Sequence, residues 1–179
     1  MFDIDVFIDE CVRAGDEGEP RSAIKHLLGR AMADTEAVAA ALPPERAEIT
    51  PLHASPTLTI LKVVWTPGMS FRPHNHKMWA AIGIYTGGED NEFYRRTGDW
   101  LTPSGGKRLR RGDTVLLGDE VIHAVTNPTG EHAGAIHIYG GDLFAAERSE
   151  WDLDTRVEQQ YDVPAAMAYF EEQNRLTAS

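Results

Sequence analysis

"LTILKVVWTPGMSFRPHNHKMWAAIGIY" (residues 58–85) decides how the chain is read. Residues 58–65 are apolar on both alternating faces, the pattern of a strand sandwiched between two layers. Thr66-Pro67-Gly68-Met69 reads as a turn, and residues 79–85 form a second apolar, strand-like run. Between them stand His74 and His76, one residue apart. In extended chain alternate side chains share a face, so the two imidazoles point one way and Asn75 the other. Two imidazoles aimed at one point can hold a metal ion.

Outward from this segment, residues from about 48 to 141 keep the same texture of short apolar runs and turn residues. "TGGEDN" (86–91) reads as a loop before the strand "EFYRR" (92–96). "DTVLLGDEVIHAVTNPTG" (113–130) holds two strands around a Gly118-Asp119 turn, and "GAIHIYGG" (134–141) is the last clear strand. Many short strands at close spacing predict an antiparallel barrel or jelly roll. Residues 1–45 read as helical, with Ile24, Leu27, Leu28, Ala31, Met32, Thr35, Val38 and Leu42 along one side, Pro20 near the start and Pro43-Pro44 as the stop. A C-terminal helix begins near Pro164, with Ala166, Met167 and Phe170 as its apolar stripe. The expected plan is one domain, 1–179, with a helical extension (1–45), a barrel (46–148) and a helical tail (149–179) that cover the barrel's exposed surface or edges.

Composition narrows the functional classes. Lys plus Arg is 17 and Asp plus Glu is 28, a net charge of −11, which repels nucleic-acid backbones and anionic membrane surfaces. The basic patch "KRLRRGD" (107–113) reads as an exposed strand or hairpin edge. No apolar run approaches the roughly 20 residues that cross a bilayer. The acidic start, "MFDIDVFIDE", does not read as a secretory signal. The single cysteine, Cys11, has no internal disulfide partner and reads as a small buried residue of the first helix. A cytoplasmic location is expected; the oligomeric state stays open.

Four of the seven histidines, His74, His76, His123 and His137, fall in or beside apolar strands, while His26, His53 and His132 lie in helix or loop contexts. An H-x-H pair with a later strand histidine in a jelly-roll pattern points to a metal site. Gly68, five residues, then His74-Asn75-His76 resembles the first cupin motif; Gly112 followed by His123 and Asn127 resembles the end of the second. The chain is similar to cupins, which implies a double-stranded β-helix in which His74, His76 and His123 are ligands. Two departures matter. Ala80 and Ala81 stand where that family's glutamate ligand is expected, and Glu89 and Glu92 are poor substitutes by spacing; Gly118 and Glu120 replace the second motif's Pro and Gly. Three neutral imidazoles leave a divalent ion its full charge and favour an anionic ligand such as a thiolate or enolate. Imidazoles suit iron, zinc, copper and nickel; manganese stays open as well.

"AIHIYGGDLF" (135–144) resembles the segment of cysteine dioxygenases that carries a histidine and a tyrosine beside the iron, and 58–76 resembles that family in its tryptophan before H-x-H. The similarity spans most of 58–144. It implies a mononuclear Fe(II) enzyme, with His137 and Tyr139 as the outer hydrogen-bonding pair, oxidising a small thiol to a sulfinate with O2. That family's serine is Ala135 here, and the carboxylate-binding arginine expected before residue 58 is absent from "ITPLHASP". Arg95 and Arg96 in "FYRR" are candidate replacements, set against the usual solvent-facing position of strand-edge arginines, and His53 is a further pocket candidate against a simple loop histidine; Trp79 reads as a wall or core aromatic and His132 as a turn residue. Two other readings keep the site: an oxygenase cleaving a diketone or phenolic acid, and a metal-binding cupin without turnover.

Overall fold

The computed structural model describes residues 2–177 except 17, 99, 153 and 156. Three helices, α1 (Ile4–Gly15), α2 (Pro20–Met32) and α3 (Thr35–Ala41), precede the strands β1 (Glu48–Ala54), β2 (Thr59–Trp65), β3 (Ser70–Asn75), β4 (Ala80–Thr86), β5 (Gly88–Thr97), β6 (Trp100–Arg110), β7 (Thr114–Leu117), β8 (Ile122–Thr126), β9 (Ala133–Tyr139), β10 (Ser149–Trp151) and β11 (Glu158–Gln160). Helix α4 (Val163–Thr177) follows. The strands form two antiparallel sheets, ordered β1-β2-β9-β4-β7 and β11-β10-β3-β8-β5-β6. This is the double-stranded β-helix expected, with helices at both ends.

Asp3 caps α1 by accepting from the Asp5 and Val6 amides (3.0 and 3.2 Å), and Pro20 begins α2 where its missing N–H costs nothing. The single helical run expected up to Leu42 breaks at Asp34, whose carboxylate accepts from Ala37 N (3.1 Å) and starts α3 as a new N-cap. These helices cover the outer face of the five-stranded sheet. Ile24, Leu28 and Met32 of α2 share a buried cluster with Ile60, Ala81, Tyr85, Ile136 and Ile138. Gly83 makes the close approach possible, since a Cβ there would stand 2.9 Å from Leu28 Cγ and Met32 Cγ.

The opposite face of the same sheet points inward. Leu61, Val63 and Trp65 of β2 and Ala135 and Tyr139 of β9 pack with Phe71, Val125 and the α4 residues Ala166 and Phe170. Apolar residues on both faces of β2 therefore serve two cores, one inside the barrel and one beneath the helices. Asn174 of α4 clamps Ala47 at both its amide (2.7 Å) and its carbonyl (2.9 Å), holding the helix across the barrel end.

Three expectations are corrected. His53, expected in a helix or loop context, lies on strand β1, an edge strand paired to β2 with a register break between Pro51 and His53; an edge position is where a strand tolerates proline. The stretch beginning at 149 is not wholly helical: β10 and β11 extend the six-stranded sheet, and Glu150 pairs with His74. Residues 88–91 are the start of β5, not a loop. The basic patch lies on and just after β6, an edge strand, as expected, and is neutralised locally by Arg110–Asp90 (2.6 Å) and Arg111–Glu36 (3.4 Å). Cys11 is fully buried, and burial pushes its thiol up to about 12. No described helix is long and apolar enough to cross a membrane.

Candidate metal centre

His74 on β3 stands directly opposite His123 on β8, and His76 follows just past the end of β3. The regular pairing of β3 breaks between Phe71 and His74, where Pro73 removes a ladder donor. Lys77, the one described non-glycine residue with positive φ (59°), then turns the chain into β4. The three imidazoles converge inside the barrel: Nε2 of His76 lies 3.3 Å from Nε2 of His74 and 3.2 Å from Nε2 of His123. The three ligand atoms all fall within 4.8 Å of one another, and every ring is buried.

Their hydrogen bonds fix which nitrogens are bare. Nδ1 of His74 donates to the Arg72 carbonyl (3.0 Å), and Nδ1 of His123 donates to Asn91 Oδ1 (2.7 Å), since both partners only accept. Both rings therefore present an unprotonated Nε2 to the centre. Burial pushes His123 down to about 4 and holds His74 and His76 well below the usual histidine range, with neighbouring positive groups adding to the effect on the latter two. Nδ1 of His76 has no hydrogen-bond partner among the described residues; with its hydrogen there, three Nε2 lone pairs face one another with no hydrogen between them. Such a donor set of three imidazole nitrogens fits a divalent transition metal.

Around this cluster lies a mostly apolar cavity of about 250 Å³. Tyr139 and His137, two residues apart on β9, both reach it. The Tyr139 hydroxyl lies 3.0 Å from His137 Nδ1, and its ring meets that of His76 edge-on with centroids 4.9 Å apart. Burial raises the Tyr139 phenol, so it stays protonated at neutral pH.

Two residues that sequence reasoning missed complete the surroundings. Arg148, in the segment between β9 and β10, lines the cavity at 8% exposure with its guanidinium 3.4 Å from the Tyr161 ring centroid. No carboxylate is paired with it among the described residues. Glu89 is completely buried behind His137: its Oε1 accepts from Trp65 Nε1 (2.8 Å) and from His137 Nε2 (3.2 Å). Burial alone would raise this carboxyl, but His137 and Trp65 outweigh it and hold it below the usual carboxylate range. Glu89 is not one of the clustered ligands, so the spacing argument against it as a ligand agrees with its position, while its reading as a loop residue does not.

The remaining candidates lie elsewhere. Arg95 and Arg96 are exposed; Arg96 pairs with Glu158 and lies 5.6 Å over the Trp151 ring, and neither arginine lines the cavity. They take the solvent-facing position usual for strand-edge arginines, and their candidacy as the replacement arginine falls away. His53 is half-buried on β1 without lining the cavity, and His132 sits in the turn before β9. Trp79 belongs to the core beneath the helices, and His26 is exposed on α2. Asn127 is structural: buried after β8, its amide nitrogen donates to the Thr66 carbonyl (3.0 Å) and its oxygen accepts from Thr129 N (2.9 Å).

No family model matches the sequence. Among solved structures, the chain is similar to an RmlC-like cupin family protein with a double-stranded β-helix fold from Methanocaldococcus jannaschii (12% identity, TM-score 0.47, covering 56% of this chain and 85% of that one). It is also similar to a conserved protein with a double-stranded β-helix domain from Klebsiella pneumoniae (13%, TM-score 0.46, 59% and 80%). A third is the DMSP lyase DddQ from Ruegeria pomeroyi (22%, TM-score 0.45, 57% and 50%). The chain spans about half the length of several matched proteins, DddQ included. The double-stranded β-helix itself stands on the strand order and the inward convergence of the three histidines.

Proposed function

We propose that the protein is a thiol dioxygenase that adds both atoms of O2 to the sulfur of a small mercapto-carboxylic acid, R–SH + O2 giving R–SO2H. The observation that carries this reading is one cavity lined at once by three imidazoles, a tyrosine hydroxyl and a buried arginine that has no carboxylate partner among the described residues. A redox-active divalent metal such as Fe(II), held by Nε2 of His74, His76 and His123, would supply the centre that activates O2 and favours sulfur as the thiolate.

The chain's own groups divide the remaining work. Arg148 binds the substrate carboxylate, for which a guanidinium is the matching fork. Among the described residues no acidic side chain lines the cavity to pair with an ammonium group; this favours a mercapto-acid over an amino acid. The Tyr139 hydroxyl hydrogen-bonds the reacting end, and His137 orients it. Leu61, Val63 and Phe71 keep bulk water from the reacting sulfur.

Iron-loaded protein, supplied with a panel of short mercapto-acids, cysteine and thiols lacking a carboxylate, is expected to consume O2 and form sulfinate fastest with the mercapto-acids. Oxygen uptake with a diketone or phenolic acid and with no thiol would replace the reading with carbon–carbon cleavage. Tight metal binding without turnover on any of these would leave a binding cupin.

A further inference from the structure

The cavity around the three histidines is larger and more apolar than a short mercapto-acid requires. Away from the histidines, Tyr139, Arg148 and Tyr161, every described residue that lines it is apolar. The polar groups gather at one end. The Tyr161 ring carries the Arg148 guanidinium 3.4 Å from its centroid and is itself 5.9 Å from the His74 ring. A ligand held by its sulfur and its carboxylate therefore fills only that end. The remaining wall comes from Leu61 and Val63 of β2 and from Val163, Ala166 and Met167 of α4. A dry apolar cavity of roughly 150 Å³ already takes up benzene, and this one measures about 250 Å³.

Its rim is apolar as well. Phe144 is 44% exposed and Met167 42% exposed, and both line the cavity, so they stand at its mouth. Other large apolar side chains left exposed, Trp100 and Leu116 among them, lie away from it. Apolar surface in water at a cavity mouth is covered when the apolar end of a ligand reaches it. The unbranched Met167 side chain can repack around that end.

We infer that the acid taken up here carries an apolar body of about a benzene ring's size, aryl or branched alkyl. That body sits between β2 and α4, with its far edge against Phe144 and Met167. A hydroxyl or amine on it would meet only apolar side chains along this wall, which costs its hydration without a compensating hydrogen bond. The sulfur at the other end rests on the thiol reading above; the apolar body follows from the cavity alone.

The two are separable by experiment. Propionate and 3-phenylpropionate share a carboxylate, lack sulfur and differ by the ring. Titrated calorimetrically into full-length, zinc-loaded protein, the phenyl acid is expected to bind about 10–100-fold tighter, the range for burying one aromatic side chain. Met167→Glu and Phe144→Ser, both at exposed positions, are each expected to narrow that ratio by about threefold or more. Equal affinities, no detectable binding of either probe, or a ratio that neither substitution moves overturn the inference. In iron-loaded protein, 2-mercapto-3-phenylpropionate is expected to exceed 2-mercaptopropionate in kcat/KM by a factor like that seen in binding. Turnover of the short thiol with no advantage for the phenyl compound in binding or in kcat/KM overturns the apolar body and leaves the thiol reading intact. A phenyl preference in a protein inert toward every thiol upholds the apolar body and refutes only the thiol reading.

Discussion

His74 and His123 stand directly across the β3–β8 pair from each other, and each anchors its Nδ1 to an acceptor behind it. One anchor is a backbone carbonyl and the other a side-chain amide. Both rings are therefore locked with their lone pairs forward, and His76 closes the triangle from just past the end of β3. A centre built this way is organised before any ion arrives, by strand register and two hydrogen bonds.

The first expectation concerns the ligands. His74→Ala, His76→Ala or His123→Ala is expected to abolish tight binding of a divalent metal, measured by calorimetry or metal content after dialysis. His26→Ala, on the exposed face of α2, is expected to leave it unchanged. Full metal occupancy in the His123 variant would exclude this centre.

Asn91 provides a subtler test, because it touches no metal. Its Oδ1 accepts from His123 Nδ1 at 2.7 Å, and it is itself buried. Replacing it with leucine frees that ring to rotate or change tautomer. Losses for such supporting partners run at about 10–100-fold in metal affinity. Unchanged affinity in a folded Asn91→Leu protein would mean that packing alone orients His123.

How much of this was legible depends on whether a residue's position follows from local pattern. His74 and His76 declare themselves because ligands at i and i+2 on a strand share a face, and His137 and Tyr139 share a face on β9 for the same reason. Glu89 was misread because "TGGEDN" has the composition of a loop. In the structure Gly87 alone, at φ 59°, makes the turn, and β5 begins at once with Glu89 and Asn91 buried. A charged residue facing a barrel interior runs against the ordinary rule of burial. Arg148 had no local signature at all: it reaches the cavity only because the segment after β9 folds back and Tyr161 supplies a ring to stack on. Strands β10 and β11, three residues each, are too short for any periodicity to register.

Arg148 also yields an expectation about specificity. A charge-assisted hydrogen bond is worth roughly 1.5–3 kcal/mol. Arg148→Gln is therefore expected to raise KM for mercapto-acids by about 10–100-fold, with a smaller change in kcat. A thiol lacking a carboxylate should be turned over equally by both proteins. An equal loss on both kinds of thiol would assign Arg148 a structural role on Tyr161 instead.

Acid should weaken the metal-free protein before its carboxylates titrate fully. In the unfolded chain a histidine titrates near 6.5, whereas burial holds His123 at about 4 and His74 and His76 well below their ordinary value. Between those limits the unfolded chain binds protons that the native one refuses, so stability falls as pH falls through 6.5 toward 4. His123 alone contributes roughly 3 kcal/mol across that window, at about 1.4 kcal/mol per pH unit of difference. The measurement is the urea midpoint of metal-free protein from pH 7 to 4.5, compared with His123→Gln, which removes one titrating ring and should flatten the slope. Parallel slopes in the two proteins would mean that His123 is not held neutral by the fold, and that the lone pair offered to the metal is not prepared in advance.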